Sequence, residues 1–441
     1  MAKRRLPGRP QSLLPRATCP HCWHKFPPED SLWVSSHPDL DDDDVVTPRG
    51  QRRFLPTRLT ATGHALDIKG EVCHQLACPR CHLTVVRASL ELDPLIFSIL
   101  GAPGSGKSYY LAAAVWQLRR ALSANFQIAF GDADPSANRM LNQYEEILFL
   151  NNQRDVPVAL PKTEKEGDLY ESVVLGGRPV LFPKPFVFSV KPQPDHPLSH
   201  HGRSLSRAFC LYDNAGEHFM PGEESSNNPG TQHLTVSRAL LFLFDPTQHH
   251  EFRDICAGQS ADPQMGQDGW NFRQDRILLE AESRIRSLTG LRQTEKDKRP
   301  LIIVVTKHDA WNSLTGGNEL QPDWYLRESR TGRHALDLER LTAMSGQIRK
   351  IMQKFAPEVV SAADGFSSDV TYIPVSALGR GPELVDGVEK KFAIRPKDIK
   401  PVWAEIPLLY ALHRSVPGLI PSYGGSGKRK EDLQATRDEH V

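Results

Sequence analysis

The sequence predicts an α/β fold, a three-layer domain with a mostly parallel sheet, preceded by a small metal-stapled module. Three observations predict it. From residue 95 onward, short apolar runs alternate with longer amphipathic ones, the pattern of strands returning through helices. One of those runs, LIFSIL, passes directly into a glycine-rich turn and then into a helix-forming stretch, YYLAAAVWQLRRAL. Ahead of both lie two C-P-x-C pairs, which in a reducing compartment point to a metal before a disulfide.

Strands are expected at Leu95–Leu100, Gln127–Gly131, Phe186–Val190, Arg207–Tyr212, Leu240–Phe244, Leu301–Val305 and Val370–Val375, and helices at Lys107–Leu122, Phe272–Leu288, Leu336–Phe355 and Val402–His413. This divides the chain into a basic tail (1–18), a cysteine-bearing module with an inserted loop (19–92), the α/β domain (93–420) and a polar, aperiodic tail read as disordered (421–441). The acidic run Asp39–Asp44 reads as an exposed loop. The polar connection holding His196, His200 and His201 reads as solvated. The net charge of +1 supplies no overall field toward nucleic acid. No apolar run reaches the roughly 18 residues of a membrane span, and MAKRRLPGRPQSLLPR has no apolar stretch behind its charges. The expected compartment is the cytoplasm.

The glycine-rich turn is GAPGSGKS, Gly101–Ser108, a full G-x-x-x-x-G-K-[ST] phosphate loop. Gly101, Gly104 and Gly106 let the backbone turn its N–H groups toward phosphate oxygens, and the following helix N-terminus adds partial positive charge. The expected cradle runs through Gly101, Gly104, Ser105, Gly106, Lys107, Ser108 and Tyr109. Lys107 supplies the point charge for the β- and γ-phosphates, and the Ser108 hydroxyl is a Mg²⁺ ligand. The GGSGK string at Gly424–Lys428 has no strand before it and no helix after it, and is a decoy.

Three further boxes bear on the nucleotide. Arg207–Tyr212 ends in Asp213-Asn214-Ala215-Gly216, a D-x-x-G in which Asp213 would hold Mg²⁺ and the Gly216 N–H would approach the γ-phosphate. LIIVV runs into Thr306-Lys307-His308-Asp309. There Asp309 can accept two hydrogen bonds from guanine, while adenine would leave that carboxylate unpaired. The Lys307 stem can lie along the base. Ser376-Ala377 follows the last strand, with backbone N–H groups placed for the guanine O6.

Taken in order, GAPGSGKS, DNAG, TKHD and VSA resemble the boxes of the translation-factor and Ras-related (TRAFAC) class of P-loop GTPases, over residues 93–420. The resemblance implies GTP or GDP with Mg²⁺, and an antiparallel hairpin of Phe186–Val190 with Arg207–Tyr212. It also implies a switch threonine, for which Thr163 in LPKTEKEGD is the candidate Mg²⁺ and phosphate ligand. Two departures bear on activity. Thr306 stands where the class usually has Asn. Glu217 stands where many Ras-like enzymes carry a water-orienting Gln, so water is oriented by Glu217 or by His218, and hydrolysis is expected to be slow or partner-dependent. An ATPase reading stays open through LLFLFD, in which Asp245 resembles a Walker B carboxylate.

Cys19-Pro-His-Cys22 and Cys78-Pro-Arg-Cys81 each suit a tight knuckle, and two knuckles make a closed Cys₄ Zn²⁺ site. The pairs are similar to zinc-ribbon modules with residues 23–77 inserted between the knuckles. Cys73, His21, His24, His74 and His82 are substitute ligands. The layout resembles bacterial double-GTPase-type proteins, which implies a protein partner, read through the zinc module or the 249–300 insert. A nucleic-acid adaptor role, drawing on Arg49, Arg52, Arg53 and Arg58, is the alternative, as is a domain that binds nucleotide without efficient hydrolysis.

Overall fold

The computed structural model describes residues 13–46, 50–161, 169–213, 231–266, 271–316, 320–328, 333–385 and 391–424. A seven-stranded sheet organises most of them. Its strands in chain order are β1 (Asp93–Gly101), β2 (Ile128–Asp132), β3 (Phe186–Pro192), β4 (Arg207–Asp213), β5 (Ala239–Phe244), β6 (Leu301–Val305) and β7 (Val370–Pro374). They lie in the order β7-β6-β5-β1-β4-β3-β2. The pairs β1–β4, β1–β5, β5–β6 and β6–β7 are parallel, while β3 runs antiparallel to both β4 and β2. All seven expected strands are present, including the β3–β4 hairpin.

The longer helices are α1 (Lys107–Phe126), α2 (Arg139–Phe149), α3 (Gln274–Thr289), α4 (Leu338–Phe355), α5 (Pro357–Phe366) and α6 (Ile406–Ser415). Strands covered on both faces must be apolar on both, and β5 and β6 are buried at every residue. Alternate side chains go to different partners. Phe97, Ile99, Phe209, Leu211, Leu241 and Leu243 pack under α1, α2 and α6. Leu240, Phe242, Phe244, Ile303 and Val305 face α3 and α5. Helix α1 is buried from Tyr110 through Val115, and the consecutive Ala112, Ala113 and Ala114 let it lie close on the sheet.

The opposite-face residues of the β1–β4 region, Ile96, Cys210 and Tyr212, are covered by Trp23 of the cysteine module. That module pairs Ala17–Thr18 with Lys25–Phe26, and forms a four-stranded sheet from Leu32–Val34, Arg53–Phe54, Leu76–Ala77 and Thr84–Val85. A hairpin not read from the sequence, Tyr170–Leu175 with Arg178–Pro183, turns at Gly176-Gly177 and inserts Val173 and Phe182 into the module's core.

Three local expectations are corrected. Asp43, within the acidic run, is buried; it accepts the amides of Val45 and Val46 and bonds His82 at 2.8 Å. His196, read as part of a solvated loop, is buried with its Nε2 against the Leu419 carbonyl at 2.9 Å. Past residue 420, Ser422–Tyr423 pair with the strand His334–Asp337, so this part of the expected disordered tail is ordered. Among the described residues no helix is long and apolar enough to cross a membrane.

Candidate functional site

The phosphate loop begins where β1 ends. Gly101 is required by crowding: a Cβ there would lie 3.0 Å from the Leu243 carbonyl of β5. Gly104 and Gly106 take φ of 69° and 82°, and Gly106 leads directly into α1. Lys107 Nζ donates to the Gly101 and Ala102 carbonyls at 3.0 and 2.9 Å, strapping the loop across its mouth. Ser108 and Tyr109 stand in the first turn of α1, where N–H groups lack helical acceptors. The Ser105 hydroxyl is turned inward and buried, so this residue offers the loop its backbone only. The Tyr109 hydroxyl accepts the Leu160 amide at 2.9 Å.

Asp213 closes β4, one strand away, its Cα registered with Ile99 of β1. It is 4% exposed, and its Oδ1 has no hydrogen-bond partner among the described residues. Burial pushes its carboxyl up to about 6, against the pull of the Lys107 charge. A buried, unpartnered carboxylate oxygen beside Lys107 and the Ser108 turn suits a hard divalent cation. Asp213 and Ser108 are the described residues that would hold Mg²⁺ there.

At the tip of β6, Thr306 donates its hydroxyl to the Phe244 carbonyl at 3.0 Å, stitching β6 to β5. Lys307 takes a left-handed φ of 53°, which swings its side chain toward the phosphate loop; its Cε lies 4.0 Å from where a Gly106 Cβ would stand. Its ammonium is held by Asp245 Oδ2 at 2.6 Å and the Thr247 hydroxyl at 2.9 Å. Asp309 is hydrogen-bonded to the Ser376 hydroxyl, and burial raises its carboxyl above the usual range while that bond and Lys307 pull it down. The Ser376 hydroxyl accepts the Gly379 amide at 2.8 Å. The Ser376 N–H, expected to meet the guanine O6, is instead spent on the Val402 carbonyl at 3.0 Å. Of the two amides proposed for that contact, Ala377 remains.

The phosphate loop and the tip of β6 share one cavity of about 710 Å³. Its lining joins Gly104, Gly106 and Tyr109 of the phosphate end to Thr306, Lys307, Asp309 and Ala377 of the base end. Cavities of this size hold nucleotide-sized ligands. Thr163, Gly216, Glu217 and His218 lie outside the described residues.

Sequence reasoning missed part of this wall. Asp245, weighed as a Walker B carboxylate, is fully buried, clamped on Lys307, and has its backbone held by the Gln274 amide at 2.8 Å on both sides. Its two carboxylate oxygens are taken up by Thr247 and by Lys307. Gln248, three residues on, donates to the Pro103 carbonyl at 3.0 Å and so braces the phosphate loop. Asp262 and Gln264, from the long insert, also line the cavity. The one legible signal was a polar D-P-T-Q cluster at the carboxyl end of a parallel strand, where ligands of open α/β sheets gather.

The cysteine centre has a different geometry. The Sγ atoms of Cys19, Cys22, Cys78 and Cys81 all lie within 4.8 Å of one another. The closest cross pairs, Cys19–Cys81 and Cys22–Cys78, are each 3.7 Å apart. A tetrahedron of Zn–S bonds would set its edges at ~3.8 Å, so the four sulfurs fit a zinc ion. The two knuckles repeat each other: His21 N donates to Cys19 Sγ and Arg80 N to Cys78 Sγ, while Trp23 and His82 both take positive φ, at 55° and 58°. None of the substitute ligands joins the cluster. His21 bonds the Thr84 and Pro183 carbonyls, His82 bonds Asp43, His24 stacks on Phe26, His74 packs on His64, and Cys73 bonds the Glu71 carbonyl.

No protein-family model matches the chain, and no curated protein matches it. The solved structures that it resembles include three that hold a bound guanine nucleotide. Sup35 complexed with GDP is 13% identical over 68% of this chain and 40% of that one, with a TM-score of 0.23. Era of Aquifex aeolicus bound to GDP·AlF4⁻ is 13% identical over 66% and 53%, with a TM-score of 0.22. The GTPase-like domain of S. cerevisiae Ski7 bound to GTP is 14% identical over 73% and 50%, with a TM-score of 0.25. The match spans about half the length of these proteins or less. At such scores the likeness decides nothing by itself. The chain's own features are a seven-stranded, mostly parallel sheet with a glycine-rich G-x-x-x-x-G-K-[ST] turn between β1 and α1, and a four-cysteine cluster that suits a zinc ion.

Proposed function

We propose that this protein binds a Mg²⁺–guanine nucleotide and hydrolyses GTP slowly, as a nucleotide-controlled switch for a protein partner. The observation that carries this reading is the shared cavity, in which the phosphate loop and Asp309 face the same space with the Lys307 stem between them. Lys107 would leave its two loop carbonyls for the phosphates, whose charge it neutralises. Mg²⁺, held by Ser108 and Asp213, would supply the second positive charge on the β- and γ-oxygens. Asp309, held by Ser376, would accept the N1 and N2 hydrogens of guanine, and the Ala377 amide would donate to O6. Thr163, Gly216, Glu217 and His218 keep their proposed roles in switching and in orienting water.

Zn²⁺ in the Cys₄ cluster is proposed as structural, since all four protein ligands turn inward and leave no open position. A cytoplasmic location suits thiols kept reduced for metal. The partner would dock on the zinc module or on the exposed side of the 249–300 insert.

The test is equilibrium binding of GTP, GDP and ATP, each with and without Mg²⁺, together with phosphate release from GTP. The reading expects GTP to bind more tightly than ATP and to need Mg²⁺. ATP binding as tightly as GTP would overturn it; tight GTP binding with no phosphate release would leave the binding and remove the hydrolysis.

A further inference from the structure

One carboxylate at the base end of the cavity has an oxygen with no hydrogen-bond partner among the described residues. Asp262 lies in the insert between β5 and β6, outside every nucleotide motif. It is 5% exposed. Its Oδ1 accepts the Gln264 amide at 2.8 Å and caps the turn Pro263–Met265. Its Oδ2 is buried and has no partner among the described residues. The residue lines the same cavity as Lys307, Asp309 and Ala377, and its carboxyl feels the charges of Lys307, Asp309 and Asp245. It is pressed into place: a Cβ on Gly381 would lie 2.9 Å from both the Asp262 Cα and Cβ, so the loop after Ser376-Ala377 backs it directly.

A buried carboxylate oxygen without a donor is costly, and a ligand that brings the donor recovers that cost. Guanine carries one hydrogen on N1 and two on the N2 amino group. Asp309 can accept the N1 hydrogen and one N2 hydrogen; the second N2 hydrogen needs another acceptor. We infer that Asp262 is a second specificity-determining carboxylate, accepting the remaining N2 hydrogen of a guanine base through its free oxygen. This rests on the guanine reading above. It assigns to the insert a task beyond partner binding, since one of its turns completes the base pocket.

Inosine triphosphate separates the two carboxylates, because hypoxanthine keeps N1–H and O6 but has no N2 amino group. The Asp262→Asn variant keeps an acceptor for the Gln264 amide and turns the second oxygen into a donor. The Asp262→Ser variant keeps a turn-capping hydroxyl and withdraws the reach. Equilibrium binding of GTP, inosine triphosphate and ATP is measured on wild type and both full-length variants. The expected result is a loss of GTP affinity of about tenfold or more, with inosine triphosphate and ATP unchanged within about twofold. Equal losses for GTP and inosine triphosphate would reduce Asp262 to a turn residue, and unchanged GTP affinity in both variants would also overturn the inference. A wild-type protein that does not prefer GTP to ATP would overturn the guanine reading itself, a result separable from either of these.

Discussion

The four-cysteine centre and the nucleotide cavity both gather polar groups from distant stretches of chain, but they turn them in opposite directions. At the first, four sulfurs point at one another within 4.8 Å, so only a single atom fits between them. At the second, Lys307, Asp309 and Asp262 border about 710 Å³ of open space, and their charges are balanced internally only in part. Lys107 leans on two carbonyls, Lys307 on Asp245, and Asp213 and Asp262 each keep an oxygen without a partner among the described residues. A centre closed on itself serves folding; one whose donors and acceptors face a void serves a ligand that comes and goes.

The largest effect that can test this contrast is removal of the metal centre. Structural zinc contributes roughly 10–16 kcal/mol of apparent binding energy in small peptides. The module's core is small and built around Cys19, Cys22, Cys78 and Cys81 themselves. The double variant Cys19→Ser, Cys81→Ser is expected to lose bound zinc, measured by elemental analysis, and to unfold more than about 10 °C earlier. A wild-type sample with no stoichiometric metal and unchanged melting after chelation would break the comparison at its first term. Next in size is Lys107→Ala. Removing the cation leaves the phosphates without their point charge, and the expected loss is about 100-fold or more in GTP affinity with little change in melting temperature. A large loss of stability instead would make Lys107 a strap for the loop carbonyls and little else.

Asp309 gives a smaller and more specific effect. Asp309→Asn turns one acceptor of the base pocket into a donor and is expected to lower the GTP-to-ATP affinity ratio by about 10- to 100-fold. The same pocket predicts a pH dependence. Burial raises the carboxyls of Asp309 and of Asp262, the latter to about 6, with Lys307 pulling down and Asp245 pushing up. Both must be ionised to accept from guanine without first giving up a proton. Guanine preference is therefore complete above these raised values and is lost as pH falls through them. The GTP-to-ATP ratio should decline between pH 7 and pH 5, where an ordinary exposed carboxylate would still be ionised. Using the ratio removes titration of the phosphates, which both nucleotides share.

What could be read from the sequence follows the same physics. Strands buried on both faces need apolar runs, which is why the central strands were visible, and β5 and β6 carry no polar residue at all; β2, buried only at Ile128, gave the weakest of the seven signals. The phosphate loop and the two C-P-x-C knuckles were visible because their chemistry requires fixed spacings. The hairpin Tyr170–Pro183 was not: its apolar residues divide between two cores, Val173 and Phe182 in that of the cysteine module and Tyr170 in that of the main sheet, an arrangement that depends on contacts between distant segments. Asp213 was read as the D-x-x-G carboxylate, but Asp245, also an aspartate at the end of an apolar strand, kept an alternative open. What separates them is Lys307, whose left-handed backbone brings its ammonium to Asp245 and leaves Asp213 without that partner. Asp262 gave no signal because its role depends on a turn backed by Gly381, a contact between segments far apart in the chain.

The smallest effect probes whether the two centres communicate. Tyr212 immediately precedes Asp213 and lies under the first knuckle. Its hydroxyl donates to the Pro20 carbonyl and accepts from Trp23 Nε1 at 3.1 Å, and its ring stacks on His233 at 4.7 Å between centroids. The knuckle that holds Cys19 and Cys22 therefore bears on the residue beside the proposed Mg²⁺ ligand. Tyr212→Phe keeps the ring stack and deletes only the hydroxyl, which leaves the Pro20 carbonyl and the indole N–H to find other partners. The expected loss is about 1 kcal/mol of stability, with zinc content unchanged. If the knuckle positions Asp213, Mg²⁺-dependent GTP affinity should fall by a few-fold in the same variant while Mg²⁺-free nucleotide binding stays level. Equal shifts with and without Mg²⁺ would mean that the hydroxyl serves packing alone, and the two centres would then share a sheet without sharing a function.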